Sequence, residues 1–311
     1  MCGWAFASIF PYITGIAHGA EFPWEPKDKR HLATGCCSDP INPVVFEIKV
    51  KENKISGIIP PLITPINSQG NVDEKSVKNL IEYVGKYSSA LMPTLSSGEG
   101  WALSKKQFED MIKFTLKYSK DLPVYAGVEF KSTSEVIKYG LLAKKLGVDA
   151  IVITTPFKKN ISQKSIYEHF KIINEQVKSP IFIYNEKAIS GNEISYDTIE
   201  KICKLGSIIG IKEASNNPNF TNKLIKNMSI PVFQGWEHLC FESKNVAGYV
   251  LPLCNLEPKL CFEMLKKPTK MAQDKINQSC KKYNLVGDDW YAYLKKELKR
   301  RKIILTDKVI K

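Results

Sequence analysis

Lys212 stands in "IIGIKEASNN", between an apolar run and a polar one. A solvated lysine is protonated at neutral pH and a poor nucleophile, whereas a desolvated one can attack a carbonyl and form a Schiff base. Three other polar groups close runs of the same kind. Tyr184 is the last large residue of "PIFIYN", Ser96 and Ser97 open "SSGEG" after an apolar segment, and Gly235 and Glu237 lie in "QGWEH". An amine that attacks a ketone needs burial, a phenol to move protons, and hydroxyl or backbone donors to hold a neighbouring carboxylate. All three parts are present. On position alone, Lys212 reads first as a lysine that snorkels to solvent, and Tyr184 could be strand packing, "SSGEG" a capped turn and Glu237 a cap or solvated acid.

The chemistry therefore depends on which elements carry these residues. From Gly57 onward, eight β-like apolar runs alternate with amphipathic segments: "GIIPPLITP", "ALMPTLSS", "PVYAGVE", "AIVITTP", "PIFIYN", "IIGIKEAS", "PVFQGW" and "GYVLPLCN". Segments such as "DEKSVKNLIEYVGKY" and "SIYEHFKIINEQV" place apolar residues at i, i+3, i+4 and i+7, the helical period. Eight short buried strands, each followed by a helix or loop, predict an α/β fold, a (β/α)8 TIM barrel over residues 54–256. Residues 257–311 read as a C-terminal helical region capping the barrel, and residues 1–53 as an N-terminal extension without a clear period. Active sites of such barrels lie at the C-terminal strand ends, where Ser96, Ser97, Tyr184, Lys212, Gly235 and Glu237 fall.

Composition narrows the function. The net charge of +13 permits nucleic-acid binding, but the lysines spread over nearly every predicted helix, which describes a solvated basic surface. The run "KKELKRRK" near the C-terminus reads the same way. Arginine occurs only at Arg30, Arg300 and Arg301, so the barrel has no guanidinium fork for a carboxylate or phosphate. Eight cysteines without a CxxC pair and four histidines argue against a metal centre. Cysteines inside apolar segments suit core packing in a reducing compartment, and we expect a cytoplasmic protein. No apolar run is long enough for a membrane span, and the N-terminal apolar stretch lacks the positive flank of a signal peptide.

The ordered motifs "GIIPPLITP", "SSGEG", "YN" and "GIKEAS" resemble the family of dihydrodipicolinate synthase and N-acetylneuraminate lyase, the class I pyruvate-dependent aldolases, over roughly residues 55–290. The resemblance implies that Lys212 is the Schiff-base lysine and Tyr184 the proton-transferring tyrosine. It implies that Ser96 and Ser97 hold the pyruvate carboxylate, that Gly235, Glu237 and Val250 complete the substrate-binding set, and that Glu99 is structural. It also implies pyruvate or another 2-oxo acid with an aldehyde as substrates, no cofactor or metal, and a homo-oligomer, tetramer or dimer. Two positions depart from the family pattern. Ile189 occupies the place of the arginine that, in the synthases, grips the second substrate, and Lys158 that of a relay tyrosine. Those departures lean the expected substrate toward a sugar-type 2-oxo acid, with 4-hydroxy-tetrahydrodipicolinate synthase activity and a catalytically silent barrel binding a 2-oxo acid as alternatives.

Overall fold

The computed structural model describes residues 55–310, so the N-terminal extension, with its Cys36-Cys37 pair, lies outside the described residues. Seven parallel strands form one sheet: β1 (Gly57–Ile58), β2 (Tyr125–Gly127), β3 (Ala150–Ile153), β4 (Ile181–Asn185), β5 (Ile208–Glu213), β6 (Val232–Gln234) and β7 (Gly248–Tyr249). Their order is β1-β7-β6-β5-β4-β3-β2. The second β-like run does not form a ladder strand. It bridges the two sheet edges through the pairs Ile58 with Ser88, Pro61 with Met92, and Leu91 with Val124. Pro60, Pro61 and Pro93 interrupt this region, and a proline has no N–H to give to a ladder. The bonds that remain, among them Ser89 N to Ile58 O and Tyr125 N to Leu91 O, close the barrel.

Helices fill the connections: α1 (Glu74–Val84), α2 (Lys105–Tyr118), α3 (Thr133–Leu146), α4 (Gln163–Val177), α5 (Lys187–Ser190), α6 (Tyr196–Cys203) and α7 (Pro218–Asn227). Most starts are written locally. Asp73, Ser104, Ser132, Ser162, Ser195 and Asn217 each cap a helix by accepting a backbone N–H from its first turn. Ser104 and Gln107 complete a reciprocal capping box on α2. Three more helices follow the last strand: α8 (Pro258–Lys266), α9 (Lys270–Lys282) and α10 (Trp290–Arg300). Helix α8 contacts β1 and β7, where the last strand pairs with the first.

The barrel interior is packed, not hollow. Tyr125, Phe182 and Phe233 meet ring to ring, with centroids 5.9 and 5.3 Å apart, and Ile59, Met92, Val152 and Val250 fill around them. This apolar plug puts a floor beneath the strand ends, so polar side chains one layer higher face one another over low-dielectric ground. Cys254 and Cys261 are buried in the outer core, as their apolar segments predict. No helix among the described residues is long and apolar enough to cross a membrane.

Candidate functional site

Parallel pairing in register places Tyr184 of β4 beside Lys212 of β5, and Lys212 beside Phe233 of β6. Because side chains alternate along a strand, Lys212 shares its face with Gly210 below and Ala214 above. It is 2% exposed, and its Nζ lies 3.9 Å from the centroid of the Tyr184 ring. Burial pulls its pKa down to about 8, against the opposing pull of the carboxylates of Glu186, Glu129 and Glu237. A larger share of the amine is therefore neutral near pH 7 than in a solvated lysine. A buried amine of this kind can act as a nucleophile. Gly235 lets the neighbouring strand end approach: a Cβ there would stand 3.1 Å from Lys212 Cε and 2.8 Å from Ala214 Cβ.

Tyr184 is buried, and its phenol, hydrogen-bonded with Ser96, is held well above its usual range by burial and by the nearby Glu186 and Glu129. The phenol therefore stays protonated next to the amine. Ser96 and Ser97 open a tight turn, Ser96–Gly98, that follows Thr94 and precedes Glu99, both of which adopt left-handed backbone conformations at φ 59° and 57°. Such conformations cost of order 1 kcal/mol or more each for non-glycine residues and persist where surrounding contacts over-determine them. Here Thr94 Oγ1 donates to Gly127 O at 2.8 Å, and Thr64 Oγ1 donates to Gly98 O at 2.7 Å. The Ser97 Oγ is buried with no hydrogen-bond partner among the described residues. A buried hydroxyl left without a partner on this turn could take an incoming carboxylate.

Glu99 is anchored from the far end of the chain. One carboxylate oxygen pairs with Lys295 of α10, and the other accepts from Ile310 N at 2.6 Å. Lys295 is fully buried and also donates to Lys308 O at 3.1 Å. This corrects the reading of "KKELKRRK" as a wholly solvated face: Lys295 turns inward because the turn carrying Glu99 lies beneath it. Glu237 is buried, accepts from Leu253 N at 3.0 Å through Oε1, and is pushed up by burial. Val250 lies in the interior packing beneath the site. Ile189 packs against the same interior group, so an apolar side chain takes the place of a guanidinium. Lys158 is exposed.

Two acids beside Lys212 escaped the residue-by-residue reading. Glu186, just past β4, caps α5 by accepting from Ala188 N at 2.8 Å, and burial raises its pKa to about 6. Glu129, two residues past β2, is raised to about 8 by burial, partly offset by the charge of Lys212. The acids that end "PVYAGVE" and follow "PIFIYN" were visible as types, and counting alternate residues outward from the core would have aimed them inward. Among the described residues no group of three or more histidine, cysteine, aspartate or glutamate side chains gathers as a metal site.

The chain is similar in sequence and fold to known proteins. The Dihydrodipicolinate synthetase family matches residues 54–289. The chain is 31% identical over 217 residues to 4-hydroxy-tetrahydrodipicolinate synthase of Bartonella bacilliformis, covering 68% of this chain and 74% of that one. It is 33% identical over 232 residues to the enzyme of the same name from Buchnera aphidicola subsp. Baizongia pistaciae, covering 70% and 78%. Among solved structures, the dihydrodipicolinate synthase of Acinetobacter baumannii complexed with pyruvate superimposes with a TM-score of 0.75 at 27% identity, covering 81% of this chain and 90% of that one. With a family match across most of the barrel, over a buried strand-end lysine, the chain belongs to the Dihydrodipicolinate synthetase family of carbon-carbon lyases.

Proposed function

We propose that the protein forms an imine between Lys212 and pyruvate and uses it to make or break a carbon-carbon bond with an aldehyde. The observation that carries this reading is the buried amine, lowered to about 8 and set 3.9 Å from the Tyr184 ring centroid, at the catalytic end of a barrel of this family. Neutral Lys212 attacks the ketone carbon while Tyr184, hydrogen-bonded with Ser96, hands protons to and from the reacting oxygen and carbon. Ser97 and the turn N–H groups receive the pyruvate carboxylate. The protonated imine then draws electrons from the adjacent methyl group and supplies the enamine nucleophile.

The relatives move the reading of the second substrate. A sugar-type 2-oxo acid was the expectation, but the relatives bear the name 4-hydroxy-tetrahydrodipicolinate synthase, and this favours condensation of pyruvate with aspartate semialdehyde. The hydroxyl-binding role that would suit a sugar is also less available in Glu237, whose Oε1 is engaged by the Leu253 N–H. Members of this family are typically oligomeric, and we take the working form as a homo-oligomer.

Borohydride trapping tests the core of the proposal. The protein is incubated with pyruvate, reduced, and digested for mass spectrometry. An adduct on the Lys212 peptide is expected, and a folded protein that yields none overturns the imine. Turnover assays with aspartate semialdehyde and with sugar aldehydes then decide the partner. Trapping without turnover on any aldehyde would make the chain a silent 2-oxo acid binder.

A further inference from the structure

The outward-facing residues of the third barrel run, Val124, Ala126 and Val128, all pack in the outer core, and Val128 N continues the ladder by donating to Val152 O at 2.8 Å. The alternate set, Tyr125, Gly127 and Glu129, therefore faces the barrel axis, with Tyr125 in the interior plug. Position 127 can hold no side chain, because a Cβ there would lie 2.6 Å from the Thr94 carbonyl oxygen. Glu129 is consequently the first side chain above the plug on this strand. On β4 the same count runs Phe182, Tyr184, Glu186, and on β5 it runs Gly210, Lys212, Ala214.

Glu129 is 1% exposed, and neither of its carboxylate oxygens has a hydrogen-bond partner among the described residues. The other acids of this region are all engaged: Glu186 by Ala188 N, Glu213 by Asn185 Nδ2 and Ser215 N, Glu237 by Leu253 N. An ionised carboxylate buried without donors costs several kcal/mol, so such a group stays protonated or shares a proton with a nearby cation. The groups that act on it are Lys212, Glu186 and Tyr184. Burial brings Glu129 and Lys212 toward the same value, about 8, so the two titrate as a pair. Meanwhile Lys158, at the place of the family's relay phenol, is exposed to solvent.

We propose that Glu129 is a catalytic acid and base for forming and hydrolysing the imine at Lys212, a role that rests on the imine chemistry proposed above. Attack of neutral Lys212 on the ketone forms the C–N bond and a carbinolamine, whose oxygen takes the proton the amine gives up. Protonated Glu129 then donates to that hydroxyl, the C–O bond breaks, and water leaves. The products are the protonated imine and the Glu129 carboxylate, whose charges offset each other. Hydrolysis runs the same steps backward, with Glu129 removing a proton from the attacking water.

The test is the single-turnover rate of borohydride-trappable adduct formation with pyruvate, measured against pH for the full-length protein and for Glu129→Gln and Glu129→Asp. The wild type should show a bell centred near the shared titration of the pair. Glu129→Gln should slow the rate by about 10²-fold or more and lose the basic limb, while Glu129→Asp keeps that limb. An unchanged rate and profile in a folded Glu129→Gln protein overturns this inference and leaves the imine intact. Failure of the wild type to trap pyruvate overturns the imine itself. Should Glu129→Gln not fold, infrared difference spectra of the wild type and Glu129→Asp decide the matter. A protonated carboxyl band lost on pyruvate binding and displaced in the aspartate variant supports the role, and its absence overturns it.

Discussion

Two lysines are buried among the described residues, and the fold treats them in opposite ways. Lys295 is closed in. It pairs with Glu99 and donates to Lys308 O, while the second Glu99 oxygen takes the Ile310 N–H. Lys212 is left open: no carboxylate among the described residues closes an ion pair on it, and it faces an aromatic ring and a carboxyl group without donors. Lys295 has an opposite charge and a carbonyl acceptor beside it, and its carboxylate partner takes a backbone N–H, which is the kind of pairing that makes a buried ion pair tolerable. Around Lys212 the partners are missing, which keeps an amine neutral enough to react. The paired lysine holds the Ser96–Gly98 turn in place through Glu99, and the unpaired one is the lysine we propose for the imine.

Exchanging the two defects gives the sharpest separation. Lys212→Ala should abolish the trapped pyruvate adduct completely while leaving the melting temperature unchanged or raised, since it removes a desolvated amine. Lys295→Ala should do the reverse. Stranding the Glu99 carboxylate costs roughly 3–5 kcal/mol, read in denaturant unfolding, and the adduct still forms on Lys212 at saturating pyruvate. If Lys295→Ala proves as stable as the wild type, the contrast between the lysines collapses. Pairing Lys295→Met with Glu99→Gln should recover much of the loss, because no buried charge then lacks a partner.

Stability against pH separates the same groups more gently. Glu129 is raised from 4.5 to about 8, so between those values the folded chain holds a proton that the unfolded chain releases, and stability falls as pH rises across that window. Lys212 is lowered from 10.5 to about 8, so between about 8 and 10.5 the unfolded chain binds the extra proton and stability rises with pH. Denaturant midpoints measured across pH should trace a minimum near pH 8, and Glu129→Gln should flatten its acidic side. The smallest effect is expected at the substrate turn. Ser97→Ala removes a hydroxyl that has no partner among the described residues, so folding should not suffer, while KM for pyruvate rises about fivefold for a lost hydrogen bond of roughly 1 kcal/mol. An unchanged KM would remove Ser97 from the carboxylate site.

Residue types within short windows determined much of this protein. The alternation of apolar runs with helical patterns is enough for a (β/α)8 barrel, and the polar residues closing those runs point to Ser96, Ser97, Tyr184 and Lys212, because a single polar side chain in a buried strand is conspicuous locally. The helix caps are local for the same reason, with donor and acceptor a few residues apart. What windows could not carry was any state set by groups distant in the chain. Lys295 sits in a charged run that reads as solvated, and its partner Glu99 precedes it by 196 residues. Glu129 is one acid among many until the barrel closes and sets Lys212 near it, with no donor to take its charge. The pattern of side chains along an element follows from backbone geometry that every short segment shares, whereas burial and protonation depend on which strands meet across the axis, and only the closed barrel decides that.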